Sequence, residues 1–269
     1  MPSSTSEADW SFLYRPRWLL SHLFVIVLII GMIGAGFWQL SRHGERADQN
    51  DVIRERGEQV ARPIEEIAGP DATPQVGRDE RFRRVTVVGE YLVDDEVRVR
   101  NRSSEGTPGT WVLTPLVTDD GWAVVVNRGF VPRLAGVPDV AAPPPTGSVT
   151  ITGFVQPTRP PEGLERSDPA EGRLDSLARP DIERLAQQLD YEVLALWVQL
   201  EDGGQGASQS EPPWPIPLPA LDGGPHLSYA VQWFIFTTIA FVGYPLILRR
   251  KALGRAESLP EGVDPVGHE

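Results

Sequence analysis

The chain of 269 residues has no cysteine, two methionines and a single lysine, Lys251. Without cysteine there is no disulfide, and no thiolate to attack a substrate or to hold a metal. With Met1 and Met32 as the only thioethers, soft ligands for Cu(I) are missing, which sets aside a copper chaperone. Histidine is sparse as well, confined to His22, His43, His226 and His268. No GxSxG, HExxH or glycine-rich phosphate loop after a strand is present, so no catalytic set emerges. Positive charge is also short. The net charge of −12 opposes a nucleic-acid partner, whose binders present a basic face. It is compatible with a basic protein partner, or with solubility alone.

Apolar residues, in contrast, are gathered in two runs, 18–38 and 227–248. At about 1.5 Å per residue each reaches across the roughly 30 Å hydrocarbon core of a bilayer. The first is longer than a signal-peptide h-region, and no A-x-A-like site follows it at Ala35-Gly36-Phe37, which favours an uncleaved anchor. Arg249, Arg250, Lys251 and Arg255 follow the second run, whereas 207–226 contain neither Lys nor Arg. The positive-inside rule therefore puts the C-terminus in the cytoplasm. Arg15 and Arg17 before the first run are balanced by Arg42 and Arg46 after it. Two crossings return the chain to the same side, so the N-terminus is cytoplasmic too. The expected order is a cytoplasmic tail at 1–17, a transmembrane helix at 18–38, an outer domain at 39–226, a second transmembrane helix at 227–248 and a cytoplasmic tail at 249–269.

Within the outer domain, charged residues 42–67 tolerate a juxtamembrane helix up to Pro63. Strands are expected at 83–88, 97–101, 111–117, 122–127, 149–155 and 194–200. VRVR at 97–100 alternates as a half-exposed strand does, and Thr118-Asp119-Asp120-Gly121 reads as a hairpin turn. A proline-rich connector covers 138–145, and 157–173 is loop. Pro180 opens an amphipathic pattern that predicts a helix over 179–190. Gly, Ser and Pro make 203–225 a linker. The fold class expected is a membrane protein whose two transmembrane helices, N-in and C-in, flank one extracytoplasmic α+β domain dominated by antiparallel sheet.

His226 heads the second run, and His226, Tyr229 and Trp233 share a helix face at i, i+3 and i+7. One reading is an interfacial cluster in the aromatic belt. The other is an axial haem ligand beside aromatic walls. His22 does not pair with it, because it lies sixteen residues before Trp38, about 24 Å toward the cytoplasm. Gly31 and Ala35 form a small-xxx-small pair for packing the spans together or docking a larger membrane protein. Asn127-Arg128-Gly129 reads either as a turn with Arg128 exposed, or as a guanidinium contact to a carboxylate on a haem propionate or a partner.

Taken in order, GFWQLSR at 36–42 has the form GxWQxxR and FRRVTVVG at 82–89 the form FRxVTVxG. GTWVLTP at 109–115, VNRGFVP at 126–132 and HLSYAVQWF at 226–234 follow. This set resembles the Surfeit-locus protein one family of cytochrome c oxidase assembly factors, from about residue 18 to residue 248. The resemblance implies a non-enzymatic accessory factor that helps deliver or retain haem a while an aa3-type oxidase is built. Its partners would be the oxidase catalytic subunit, other oxidase assembly factors and the lipid bilayer. Its place would be the bacterial plasma membrane, crossed twice, with the central domain outside. His226 falls on the family's candidate haem ligand, with Tyr229 and Trp233 beside it. Trp38, Gln39, Arg42, Asn127, Arg128, Gly129 and Gln232 carry over as partner-facing or structural positions. The alternatives are a scaffold that never touches haem, and an extracytoplasmic sensor or enzyme domain on a membrane hairpin. The last would need a polar catalytic cluster.

Overall fold

The described residues within 1–50 and 222–269 form one compact unit, and those within 51–221 form another. The computed structural model describes residues 8–134, 141–165, 167–201 and 211–256. Residues 1–7 of the first expected tail and most of the second, His268 included, lie outside the described residues, as do parts of the proline-rich connector and of the linker.

The first unit holds α4 (His226–Ala256) and all of α1 (Pro16–Gly57) up to Asn50. Both are long and apolar enough to cross a membrane. Where the sequence predicts a span and a separate juxtamembrane helix, α1 runs unbroken for 42 residues. No proline interrupts 17–57, and exposed pairs such as Arg42–Glu45 support the polar half of the helix. Arg54 and Arg56 complement the negative end of its dipole. In α4 the hydroxyls of Thr237 and Thr238 bond back to the carbonyls of Trp233 and Phe234 at 2.9 Å, so neither hydroxyl is left unmet in an apolar stretch. The helices meet through Gly36, not Gly31. A Cβ at Gly36 would lie 2.8 Å from the Phe234 ring, whereas one at Gly31 meets nothing within 4 Å. At the opposite end the Tyr244 hydroxyl donates to Ser21 Oγ (3.0 Å) and accepts from His22 Nδ1 (2.6 Å).

The second unit is a β-barrel. Its strands are β1 (Arg62–Pro63), β2 (Arg84–Tyr91), β3 (Val97–Ser104), β4 (Thr107–Thr118), β5 (Trp122–Pro132), β6 (Ser148–Pro157), β7 (Ser176–Leu177) and β8 (Glu192–Leu200). Strands β2, β4 and β5 form a meander, and β6 returns beside β2, which is a Greek key. β8 closes the ring between β6 and β5. The five-stranded barrel so formed has the architecture of an OB-fold. Antiparallel pairing dominates, but β5 and β8 run parallel. This explains why Trp122-Ala123-Val124-Val125-Val126 is an uninterrupted apolar run: parallel strands are covered on both faces. Val124 and Val126 face the barrel interior with Val85, Val87, Leu194 and Val198. Val125 packs outside against Val97, Val99, Ile182 and Trp197.

The helical share is smaller than an α+β reading suggests. The helix expected over 179–190 is α3 (Ile182–Ala186) alone. Asp181 caps it by accepting from the Arg184 backbone N–H (3.1 Å). Gln188 and Leu189 then bond only three residues back, and the Gln188 side chain is committed to both backbone groups of Leu174. A further short helix, α2 (Pro74–Asp79), starts on a proline, whose fixed φ suits the first helical position.

Candidate functional site

The mouth of the helical hairpin is built by a turn, Asp222-Gly223-Gly224-Pro225, that delivers the chain into α4. Gly224 adopts φ +60° and its N–H donates to Asp222 Oδ1 (3.3 Å), an Asx turn that suits glycine. Ser228 Oγ donates to the Pro225 carbonyl (2.7 Å), securing the first helical turn.

His226 thus becomes the first residue of α4. Its Nδ1 lies 2.8 Å from Gln39 Oε1 on α1. An amide oxygen only accepts, so Nδ1 is the donor of this bond, and in the neutral ring Nε2 is then the nitrogen with the lone pair. A Cβ at Gly224 would sit 3.2 Å from His226 Cδ2 and 3.5 Å from Nε2; glycine leaves that edge of the ring uncrowded. One turn beyond Gln39, His43 places Nδ1 3.4 Å from the Gly223 carbonyl, and a Cβ at Gly223 would come within 3.0 Å of its Cε1. Asn50 Nδ2 donates to the Asp222 carbonyl (2.9 Å) and ties down the other side of the turn.

Of the residues singled out in sequence, Gln39 and His226 are brought into direct contact. Trp38, Tyr229 and Gln232 are exposed, Trp233 is half-buried with an edge-to-face contact to Phe236 (6.2 Å), and Arg42 pairs with Glu45 (2.5 Å) on its own helix. His43 joins the mouth although its sequence position drew no role. The signal was there: Gln39 and His43 are four residues apart, hence on one helix face.

Asn127-Arg128-Gly129 belongs to the second unit and is not a turn. It lies inside β5, where Val112 pairs with Gly129 and Leu113 with Asn127, leaving Arg128 as the extra residue of a β-bulge. The bulge turns Arg128 inward until its side chain is only 8% exposed. Nη1 donates to Glu96 Oε2 (2.9 Å) and Nη2 to the Ala142 carbonyl (2.5 Å). Thr114 Oγ1 donates to the same Glu96 oxygen (2.9 Å), and the guanidinium lies over the Tyr91 ring. Burial lowers the Arg128 pKa, and the charge of Glu96 opposes that shift. Burial also raises the Tyr91 hydroxyl to about 12, against the pull of Arg128. The carboxylate met by Arg128 is therefore one of the chain's own. Asn127 Oδ1 accepts from the Gly129 N–H (3.1 Å). Gly129, at φ +141°, lets the Trp214 backbone approach so closely that a Cβ would lie 2.4 Å from its carbonyl. Trp214 pairs with Phe130 through two backbone hydrogen bonds of 2.7 and 2.8 Å.

The model of the SURF1 family matches residues 26–238. An uncharacterised SURF1-like protein of Mycobacterium tuberculosis is 30% identical over 247 residues, covering 87% of this chain and 84% of that protein. A SURF1-like protein of Monosiga brevicollis is 25% identical over 244 residues, 83% of this chain and 85% of its own length. The cytochrome oxidase assembly protein SHY1 of Saccharomyces cerevisiae is 32% identical over 68 residues, 25% of this chain and 18% of its own.

Proposed function

The chain belongs to the SURF1 family, and from that premise we propose that it is a membrane-bound assembly factor for an aa3-type cytochrome c oxidase, holding haem a at His226 before insertion into the catalytic subunit. In this reading α1 and α4 cross the bacterial plasma membrane. Arg249, Arg250 and Lys251 keep the end of α4 in the cytoplasm. The hairpin mouth and the barrel then face outward, where oxidase subunits and other assembly factors are met. No reaction is assigned to the chain; its work is to bind and to release.

The observation that carries the haem assignment is the hydrogen bond between His226 and Gln39. A histidine that ligates iron through one ring nitrogen characteristically donates from the other, which fixes ring orientation and tautomer. Gln39 supplies the acceptor and Gly224 leaves the free edge of the ring open. When bound, haem would supply an iron centre for that lone pair. Tyr229 and Trp233, on the His226 face of α4, would offer aromatic surface to the macrocycle.

The test is an absorption spectrum of the protein purified from cells that make haem a, beside His226→Ala. Wild type carrying an a-type signal that the variant lacks supports the assignment. Haem-free wild type, with aa3 oxidase content still falling in a deletion strain, leaves assembly by scaffolding and removes the ligand. Normal oxidase content in the deletion strain removes both.

A further inference from the structure

The second unit contains a cleft of about 570 Å³ between β6, β8 and the 216–219 segment, within the size range of small-molecule sites. In a chain of net charge −12 its wall is basic: Arg78, Arg81, Arg102 and Arg159 line it against one carboxylate, Glu162. Five prolines also line it, and proline offers no backbone N–H. Hydrogen bonding into the cleft thus falls mainly to side chains.

Two of those side chains have donors left over. Gln156 is 5% exposed; its Oε1 accepts from Arg81 Nε (3.3 Å), but its Nε2 has no partner among the described residues. Arg102 Nε is likewise buried without a partner, while its Nη2 donates to the Ala178 carbonyl (3.0 Å). Buried donors are normally satisfied, and each one left open costs free energy. Arg102 also stacks over the Trp111 ring (4.6 Å), and Trp111 lies 5.9 Å from Trp197. The Trp197 Nε1 is already donated to the Pro157 carbonyl (2.8 Å), so that indole offers the cleft an apolar surface. Burial, with Arg159 and Arg179 close by, lowers the Arg102 pKa; an anion in the cleft would reverse that pressure.

We infer that this cleft binds a small organic carboxylate with a flat apolar body, its oxygens taken by Gln156, Arg102 and Arg159 and its body laid against Trp111 and Trp197. The unmet groups are donors only, so the ligand head must be an acceptor, and the arginines favour a negative one. Aromatic surfaces and a basic wall on a five-stranded barrel also suit single-stranded nucleic acid. A cleft of this volume on an acidic chain favours the small molecule.

The full-length protein in detergent micelles is titrated with 2-naphthoate, with 2-naphthamide and with a ten-residue oligothymidylate, using calorimetry against empty micelles. Naphthoate is expected to bind at least about tenfold more tightly than naphthamide. Arg159→Gln, at an exposed position, and Gln156→Leu are each expected to weaken naphthoate by about three- to tenfold, with thermal unfolding confirming that each variant is folded. His226→Ala is expected to bind it as wild type does, so the outcome here does not depend on the haem assignment. Equal affinity for naphthoate and naphthamide, no binding at millimolar concentration, unchanged binding by a folded Arg159→Gln, loss of binding in His226→Ala, or tighter binding of the oligonucleotide would each overturn the inference.

Discussion

Gln39 on the first long helix and His226 at the start of the last are joined by a 2.8 Å hydrogen bond across 187 residues of sequence. Removing the acceptor separates orientation from ligation. Gln39→Leu is expected to lower haem a retention by about 10- to 100-fold, the usual cost of losing a second partner of a metal-bound histidine, while Gln39→Glu keeps an acceptor and retains most of the haem. Haem-to-protein ratio after size exclusion is the measurement. Equal retention in Gln39→Leu and wild type would show that the bond is only structural.

His22 lies at the far end of the hairpin and its Nδ1 is engaged with Tyr244. His22→Ala is expected to leave the a-type spectrum unchanged. Tyr244→Phe is expected to cost the hairpin about 0.6–2 kcal/mol, the range for hydrogen bonds between membrane helices. Unfolding in mixed micelles gives the second value.

Arg128 and Glu96 form a largely buried pair, completed by Thr114. Arg128→Met leaves Glu96 without its bidentate-capable partner and is expected to destabilise the barrel by about 3 kcal/mol. Arg128→Lys recovers only part, since one ammonium cannot reproduce the separate bonds to Glu96 and to the Ala142 carbonyl. The double variant Arg128→Met with Glu96→Gln should be less destabilised than the sum of its parts, as measured by urea unfolding.

Tyr91 supplies a pH signature. Its folded pKa of about 12 stands above the ordinary value of 10, so the folded state holds this proton more tightly than the unfolded one. The corresponding stability is complete below pH 10 and is lost as pH rises from 10 to about 12. Tyr91→Phe is expected to flatten the fall of stability across this interval, and an unchanged slope would contradict the burial of the hydroxyl.

The two glycines of α1 separate packing from composition. Gly36→Ala pushes a methyl against the Phe234 ring and is expected to cost about 1–3 kcal/mol. Gly31→Ala meets nothing within 4 Å and is expected to change hairpin stability little.

Periodicity in the sequence is enough to place β3, because Val97 and Val99 alternate with arginines and only one face is buried. It also places the β4–β5 hairpin, because Asp120-Gly121 can turn nowhere else in that run. It does not reveal which strand β5 meets. A continuous apolar run is silent about partners, and β8 reaches it only by closing the ring. Asn127-Arg128-Gly129 misleads for a local reason: residues that tolerate positive φ serve a bulge as well as a turn, and only the continuation of the strand through Pro132 decides between them. Glu96 was invisible, one of 37 acidic residues, placed by the edge of a 3₁₀ turn with nothing local to mark it. Gly36 and His43 were legible in principle from helix spacing, but which small residue faces the partner helix depends on a rotation that composition does not encode.

The separation of Gln39 from His226 also orders events during synthesis. Every barrel strand is encoded between them, so at about 5–20 residues per second the ribosome needs roughly 10–40 s after Gln39 to make the histidine. A nascent chain therefore has its complete set of strands before it has the hairpin mouth. A polypeptide broken off early can own every strand of the barrel and still lack His226, so any ligand held there would report that translation has passed the whole of the barrel.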